Sequence, residues 1–318
     1  MRSPIYWLVR VNSGLKEGVN MGNIGKQILQ RRYKLLGDFL LVHTFLTDIY
    51  NMETLNSYLL PQFFEYAQTH PAFNHKLTHR FGLWEEENHL VGIVCYEMDL
   101  GECFLITEPS HMFLLPEMLS YAQKELSVVK ESKRILTVWI TDKEADKKEL
   151  LAKNGYQKVY SSPVKVFCYD KPFLKNKLPA GFSLISLEDE NDCKKINDCL
   201  WKGFNHGDEP DDDIDCRLLM QSGPNFRKDL TTIIKAPNGD YACFAGMWFD
   251  QKNHYAYLEP LATVPQYRRM GLATIALNEG MKKTKELGAR YCFGGEPEFY
   301  TAIGFDTICN RELWKKIW

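Results

Sequence analysis

The residues whose types and spacing best fit a chemical role are Arg268, Gly271 and Ala273, which follow the pattern Q/R-x-x-G-x-G/A. They lie between a strand-like apolar run and a stretch with helical periodicity. A strand that leads through a tight turn into a helix directs unpaired backbone N–H groups and the positive end of the helix dipole at one place. Gly271 would let the backbone approach a phosphate, and the small side chain of Ala273 keeps the turn free of bulk. The turn is therefore a candidate pyrophosphate site, with an ordinary strand-to-helix turn as the alternative.

A second segment follows downstream, Glu298-Phe-Tyr-Thr-Ala-Ile-Gly-Phe305, which places Tyr300 on a short predicted helix. Together the two segments, in this order and at this separation, resemble those of the GNAT acyltransferase superfamily over roughly residues 180–318. The resemblance implies two splayed strands with acetyl-CoA between them. Tyr300 matches the tyrosine that often protonates the departing thiolate, although it could also be a packing aromatic between Phe299 and Phe305.

The resemblance also assigns cofactor contacts. It implies that the pantetheine pairs with the backbone of one strand end and that the pyrophosphate rests on the loop that follows. Thr263 stands where an aliphatic residue is commoner, which leaves backbone pairing intact. The residues so assigned are Leu261, Ala262, Thr263, Arg268, Arg269, Met270, Gly271, Leu272, Ala273 and Thr274.

Glu259 is the best candidate for a general base. It lies two residues before Leu261 and therefore on the same face of its predicted strand as the cofactor-binding stretch. It could instead orient the substrate or pair with a neighbouring cation. Tyr257 and His254 are weaker alternatives, and His206 is expected to be a solvated loop residue.

The elements that must position these residues occur twice along the chain. Each half reads as a helix, an antiparallel meander, a helix, a strand, a short helix and a final strand after a Gly-aromatic pair. In the first half, three-to-four spacing of apolar residues predicts one amphipathic helix within residues 48–72. The predicted fold class is α+β, with a mixed, mostly antiparallel twisted sheet flanked by helices and two tandem GNAT-like domains.

The predicted organisation has four parts. Residues 1–47 are an N-terminal extension, 48–170 a degenerate GNAT-like domain, 171–181 a polar linker with two prolines, and 182–318 the catalytic GNAT domain. The first domain is read as degenerate because residues 107–113 occupy the loop position without R-x-x-G-x-A.

Composition restricts the classes of function. The 318 residues have a net charge of -2, which disfavours a general nucleic-acid binder. The nine scattered cysteines include no CxxC, and they fit reduced thiols in the cytoplasm better than a disulfide framework. No run approaches the roughly 20 apolar residues of a membrane span. No metal site is predicted.

The predicted function is an acetyl-CoA-dependent N-acetyltransferase that transfers acetyl directly to a primary amine of a small molecule or peptide. A CoA-responsive regulatory module without turnover is the alternative. The acceptor is predicted to be cationic because six acidic side chains follow the early helix of the second half, although such a run can simply be a solvated loop. These side chains are Asp208, Glu209, Asp211, Asp212, Asp213 and Asp215.

Overall fold

The computed structural model of the chain describes residues 27–318. The first 26 residues of the predicted extension lie outside this range. The rest of it forms a strand and a helix, β1 and α1. Residues Ile28–Arg32 of β1 pair with the first strand of the following meander, and α1 packs on that meander and on the next helix.

The N-terminal half, residues 27–170, has the predicted order of elements. Its helices are α1 (Phe39–Asp48), α2 (Pro61–Thr69), α3 (Leu115–Glu125) and α4 (Ala145–Lys153). Its strands are β1 (Ile28–Arg32), β2 (Gly82–Glu86), β3 (His89–Cys95), β4 (Glu102–Thr107), β5 (Val128–Lys130), β6 (Lys133–Thr141) and β7 (Gln157–Cys168). Pro61 is at the first position of α2, where the absent N–H leaves no helical hydrogen bond unmade.

The C-terminal half, residues 182–318, repeats this order. Its helices are α5 (Cys193–Gly203), α6 (Asp215–Met220), α7 (Leu272–Glu286) and α8 (Glu298–Ala302). Its strands are β8 (Ser183–Ser186), β9 (Thr232–Lys235), β10 (Tyr241–Asp250), β11 (Tyr255–Thr263), β12 (Tyr291–Gly294) and β13 (Asp306–Ile317). Asp192 caps α5, since its carboxylate accepts hydrogen bonds from the amides of Lys194 and Lys195.

One sheet joins the two halves because their last strands are exchanged. The strand order is β1-β2-β3-β4-β6-β13-β7-β12-β11-β10-β9-β8, and β5 pairs with β6 beside this path. The last strand of the C-terminal half, β13, pairs antiparallel with β6 and β7, and β7 of the N-terminal half pairs with β12. Each half is therefore completed by a strand from the other. The sheet is mostly antiparallel and is flanked by helices, as predicted.

The single amphipathic helix predicted within residues 48–72 is wrong. The segment holds the end of α1, a turn over Leu55–Tyr58 and then α2. All four residues of the turn have φ between 45° and 63°, a left-handed conformation that a right-handed helix cannot contain. Leu55, Ser57 and Tyr58 are nevertheless buried. The apolar periodicity therefore marked burial correctly and the conformation incorrectly.

The core lies on both faces of the joined sheet. A large cluster spans the N-terminal half and extends to Trp248, Tyr255 and Phe293 of the C-terminal half. Two further clusters lie under α7 and under α5. Within residues 27–318, no helix is both long and apolar enough to cross a membrane.

Candidate active site

A bulge in β11 shapes the centre of the site. Ala245 pairs with Leu261 and Met247 with Leu258, so Gly246 alone faces the two residues Glu259 and Pro260. A Cβ on Gly246 would lie 2.6 Å from the carbonyl oxygen of Glu259, so only glycine fits there. The indole N–H of Trp248 donates to the same carbonyl at 2.8 Å. The bulge is therefore held from the neighbouring strand.

The strands β11 and β12 pair over only part of their length. They form a parallel ladder only between Tyr255–Tyr257 and Tyr291–Phe293. The opposite edge of β11, by contrast, pairs with β10 as far as Thr263. The edge of Leu261, Ala262 and Thr263 that faces β12 thus has no strand partner in the described sheet. This edge offers backbone groups to an extended ligand.

A cavity of about 590 Å³ opens at this point and is lined by both halves of the chain. Glu259, Leu261 and Tyr300 come from the C-terminal half, and β12 adds a glycine pair at its end. The opposite wall consists of residues of the N-terminal half and of the exchanged strands: Tyr58, Phe63, Tyr66, His70, Glu97, Met98, Pro163, Val164 and Arg311.

Three carboxyl groups line the cavity, Glu259, Glu97 and Glu296, and the last accepts a hydrogen bond from the hydroxyl of Tyr160. The pKa of Glu259 and that of Glu97 are each raised to about 7, mainly by burial, with a smaller contribution from the charge of Glu97 for Glu259 and from that of Glu102 for Glu97. Arg311 acts in the opposite direction on the pKa of Glu97. The carboxyls of Glu259 and Glu97 therefore both change their charge near neutral pH. A carboxylate with such a pKa can accept a proton from an ammonium group.

Tyr300 is 7% exposed and is fixed by close packing. Its ring makes edge-to-face contacts with Phe299 and Phe305, both with centroids 5.2 Å apart. The backbone of Gly294 and Gly295 lies so close that a Cβ on either would come within 3 Å of the ring. Burial raises the pKa of Tyr300 well above the usual phenol range, and the nearby Glu259 adds to this shift. The hydroxyl therefore stays protonated and can act as an acid.

The predicted pyrophosphate loop has the geometry that an anion requires. Gly271 has φ 77° and occupies the N-cap of α7, where no side chain caps the first-turn amides. A Cβ on Gly271 would lie 2.9 Å from the Nδ2 atom of Asn176, so this cradle is narrow. The first amides of a helix have no partner inside it and favour an anion. The residues present therefore fit a pyrophosphate.

The remaining residues of the loop have varied surroundings. Leu272 and Thr274 are buried, whereas Met270 is 40% exposed and Arg269 has φ 63°. The guanidinium of Arg268 donates to the carbonyls of Thr263 and Gly203 and to the side chain of Asn205. Its side chain thus ties the loop to the end of α5.

Comparison with known proteins gives a family for this part of the chain. Residues 192–305 match the acetyltransferase (GNAT) family. They form a GNAT domain. This range contains the β11 bulge, the loop at Gly271 and Tyr300. No curated protein has a matching sequence.

Solved structures extend the likeness to 90–92% of the chain. A tandem GNAT protein from the clavulanic acid biosynthesis pathway is similar with a TM-score of 0.61 at 11% identity, over 92% of this chain and 98% of that one. A GCN5-related N-acetyltransferase from Sphaerobacter thermophilus has a TM-score of 0.56 at 12% identity, covering 91% and 95%. A GNAT acetyltransferase from Colwellia psychrerythraea has a TM-score of 0.55 at 14% identity, over 90% of this chain and 98% of that one. At these identities the likeness shows the fold, which is that of a tandem GNAT protein.

The N-terminal half has the same strand arrangement but a different crevice. Its parallel strands β4 and β6 pair only between Glu102–Phe104 and Thr137–Trp139, so they also diverge. The left-handed turn Leu55–Tyr58 contacts both strands at this divergence. Glu144 accepts hydrogen bonds from the amide and hydroxyl of Ser57, and the Lys147 ammonium donates to the same hydroxyl at 2.9 Å. The backbone of this turn therefore packs against both strands of the N-terminal half.

A smaller cavity of about 200 Å³ adjoins the central one on the side of α5 and α6. Tyr66, His70, Phe204 and His206 line both, and Trp201, Arg217, Asp211 and Asp213 line the outer one. Two of the six predicted acidic residues therefore face a cavity. The exposed His206 is at the junction of the two cavities.

The structure brings the predicted residues Glu259, Leu261 and Tyr300 into one cavity, together with the weaker candidate Tyr257. His254 is exposed at the turn before β11 and does not line that cavity. Sequence reasoning missed Glu97 and Arg311. Glu97 directly follows the buried run of β3, a position that could have drawn attention to it, whereas nothing local connects Arg311 with this site. Among residues 27–318, no group of three or more His, Cys, Asp and Glu could hold a metal ion.

Proposed function

We propose that this protein is an acetyl-CoA-dependent N-acetyltransferase that transfers acetyl directly to a primary amine of a small molecule or peptide. The GNAT domain supports acetyl transfer in general. The observation that carries the finer proposal is the single cavity that contains a buried tyrosine and a carboxyl group with a pKa near 7, beside an unpaired strand edge.

The donor would be held by the C-terminal half. The backbone of Leu261, Ala262 and Thr263 would pair with the pantetheine, and residues 268–274 would hold the pyrophosphate through amides and the dipole of α7. Bound acetyl-CoA supplies the activated acetyl group as a thioester. The side chain of Thr263 is directed to Cys243, with 3.3 Å between its hydroxyl and the sulfur, which leaves its backbone for this role.

Glu259 would act as the base. An alkylammonium has a pKa near 10.4, so at neutral pH the acceptor must lose a proton before its nitrogen can attack a carbonyl carbon. Glu259 would take that proton directly or through a water. Its pKa of about 7 leaves a substantial fraction ionised at neutral pH and yet makes it a stronger base than an ordinary carboxylate. Backbone N–H groups near Leu261 and Ala262 would stabilise the charge that develops on the carbonyl oxygen.

Tyr300 would act as the acid. Its hydroxyl remains protonated at neutral pH, lines the same cavity as Glu259 and would donate its proton to the departing thiolate. The base and the acid would thus come from β11 and α8 of the same domain.

The acceptor would enter from the side of α5 and α6. Asp211 and Asp213 in the outer cavity favour a cationic amine, because negative side chains raise the local concentration of cations. All nine cysteines are free thiols, which fits a reducing compartment, and we place the proposed activity in the cytoplasm.

Thiol release from acetyl-CoA in the presence of a panel of amines tests the proposal. We expect Tyr300→Phe to lower kcat by about 10²–10⁴, because loss of a general acid acts on the transition state. The shift in Tm produced by acetyl-CoA should be nearly unchanged in the same variant. Phe299→Leu, an aromatic change beside the same ring, serves as the control for packing.

Two results would contradict the proposal. An unchanged kcat in Tyr300→Phe would show that this tyrosine only packs. A wild-type protein that is stabilised by acetyl-CoA and releases no thiol with any amine would instead fit the regulatory module.

A further inference from the structure

Arg311 is a cation of the cavity wall without a hydrogen-bond partner at two of its nitrogens. It lies on the exchanged strand β13, opposite Thr141 of β6 and Ser162 of β7. Its Nε and Nη2 atoms are buried, and neither has a hydrogen-bond partner within residues 27–318. None of the ion pairs found in that range includes Arg311. The charge therefore reaches the cavity without being neutralised by contact.

Aromatic rings fix the guanidinium in place. Its central carbon is 4.3 Å from the ring centroid of Trp139, 5.2 Å from that of Tyr58 and 5.6 Å from that of Phe63. Such contacts engage the flat faces of a guanidinium and leave its N–H groups, which point outward in its plane, available to an acceptor. Rings on several sides also fix its orientation before any ligand arrives. Arg311 is thus a preorganised donor without an acceptor.

The charged groups of the cavity act on one another's pKa. Arg311 lowers the pKa of Glu97 by its charge, and Glu97 raises that of Glu259. Arg311 is not among the groups that shift Glu259. Glu97 is therefore linked electrostatically to both of the other groups, which line the same cavity.

We propose that Arg311 binds the carboxylate of the acceptor, so that the acceptor is amino-acid-like, with a primary amine and a carboxylate in one small molecule. This inference rests on the proposed function, since it names the substrate class of the same cavity. The acceptor's ammonium would lie between the carboxyls of Glu259 and Glu97, and its carboxylate would meet the guanidinium. Tyr58, Phe63 and Tyr66 would contact its apolar part. A planar guanidinium and a carboxylate form the strong charge-assisted hydrogen bonds that this arrangement requires.

A diamine fits the site less well. It would place a second ammonium group toward Arg311, where like charges repel, and would leave the buried N–H donors without an acceptor. A phosphate-bearing amine also carries a negative charge that could meet Arg311. The experiment below therefore compares a carboxylate acceptor with a phosphate-bearing one.

The experiment compares matched acceptors on the full-length protein. Phenylalanine is compared with phenylalaninamide and phenethylamine, lysine with cadaverine, and β-alanine with phosphoethanolamine, each at saturating acetyl-CoA. We expect the preferred carboxylate acceptor to exceed its decarboxylated counterpart in kcat/KM by at least about tenfold. Arg311→Met should remove this preference, lowering kcat/KM about 10- to 100-fold for the carboxylate acceptor and little for the decarboxylated amine.

Two further variants keep the test interpretable. Arg311→Lys retains the charge and loses the planar fork, so it should retain part of the preference. Lys316→Met is the matched control, because Lys316 is on the same strand, lies over the rings of Tyr156 and Trp318 and does not line the cavity. Its kcat/KM ratio between the paired acceptors should equal that of wild type. The Tm shift with acetyl-CoA should be the same in all three variants and wild type.

The outcomes separate this inference from the proposed function. The carboxylate assignment would be overturned if the wild type preferred decarboxylated amines, diamines or phosphoethanolamine. It would also be overturned if Arg311→Met lowered kcat/KM equally for all acceptors. If no amine is acetylated, the proposed function fails, and calorimetric titration of the CoA-loaded protein with the same acceptors decides the inference. Binding that requires a carboxylate and is lost in Arg311→Met would support it, and no such binding would overturn it.

Discussion

At the residue scale, we expect the carboxyls of Glu97 and Glu259 to make the proposed activity sensitive to pH near neutrality. Burial raises the pKa of Glu97 and Glu259 from the ordinary 4.5 to about 7. A base must be ionised to act, so kcat at saturating substrates should rise with pH through about 7.

Removing one charge of the pair should move this pH dependence. In Glu97→Gln the like charge beside Glu259 is absent, so we expect the rise in kcat to shift to lower pH, while burial keeps it above 4.5. In Glu259→Gln the rise should disappear, and kcat should fall by about 10²–10⁴. The measurement is kcat against pH for wild type and both variants. An identical midpoint in wild type and Glu97→Gln would refute the coupling.

Stability provides a control that is independent of turnover. A carboxyl whose pKa is higher in the folded state binds protons that the unfolded chain has released, so the free energy of unfolding falls as pH rises from about 4.5 through about 7. Glu97→Gln should therefore raise the Tm relative to wild type at pH 8 and change it less at pH 4. A Tm difference that is independent of pH would show that the carboxyl of Glu97 titrates normally.

At the element scale, we expect the start of α7 to decide donor binding. Gly271→Asp adds a side chain where a Cβ would already lie 2.9 Å from Asn176, and it places a negative charge where a phosphate is expected. Stabilisation by acetyl-CoA should be lost in this variant. In the wild type, a ligand at 100 times its Kd adds about 2.7 kcal/mol to the free energy of unfolding. Thermal denaturation with and without acetyl-CoA measures this.

The other end of the same helix offers the matched control. Gly288 also has a positive φ, 103°, and follows α7, so Gly288→Asp introduces the same side chain with comparable backbone strain. It should lower the Tm of the free protein and keep the full shift with acetyl-CoA. Retention of the shift in Gly271→Asp would exclude the loop as the pyrophosphate site.

Elements were predictable from the sequence where local chemistry determines them. The meander of β2, β3 and β4 and the helix α7 after the Gly271 turn follow from apolar runs and turn residues, and the structure confirms them. The turn Leu55–Tyr58 was not predictable, because its left-handed backbone is buried against β4 and β6 and bonded to Glu144. Tertiary contacts there outweigh the helical periodicity of the apolar residues.

At the scale of the whole molecule, the sequence predicts two repeats but not how they combine. Glu259 and Tyr300 were found because they belong to motifs within one repeat. Glu97 and Arg311 were missed because they reach the cavity through the contact between halves and through the exchange of β7 and β13. No local pattern encodes a pairing between strands about 150 residues apart.

We expect the strand exchange to make the two halves one cooperative unit. The last strand β13 lies between β6 and β7, and β7 is held by β12, so neither half can unfold without breaking ladders of the other. The linker predicted at residues 171–181 separates two sequence repeats, whereas the sheet runs through both. A ligand that binds only the C-terminal half should therefore stabilise the N-terminal half as well.

We expect acetyl-CoA to shift the unfolding of both halves by the same free energy. Urea unfolding is followed in single-tryptophan variants that keep either Trp84 in the N-terminal half or Trp248 in the C-terminal half, both buried. If the halves unfold together, both probes should report the same transition. Acetyl-CoA should then increase the free energy of unfolding equally for both, because binding to the folded state stabilises everything that unfolds with it. Gly271→Asp in each background should abolish both shifts together. Two separate transitions, or a shift confined to Trp248, would show that the halves unfold independently despite the shared strands.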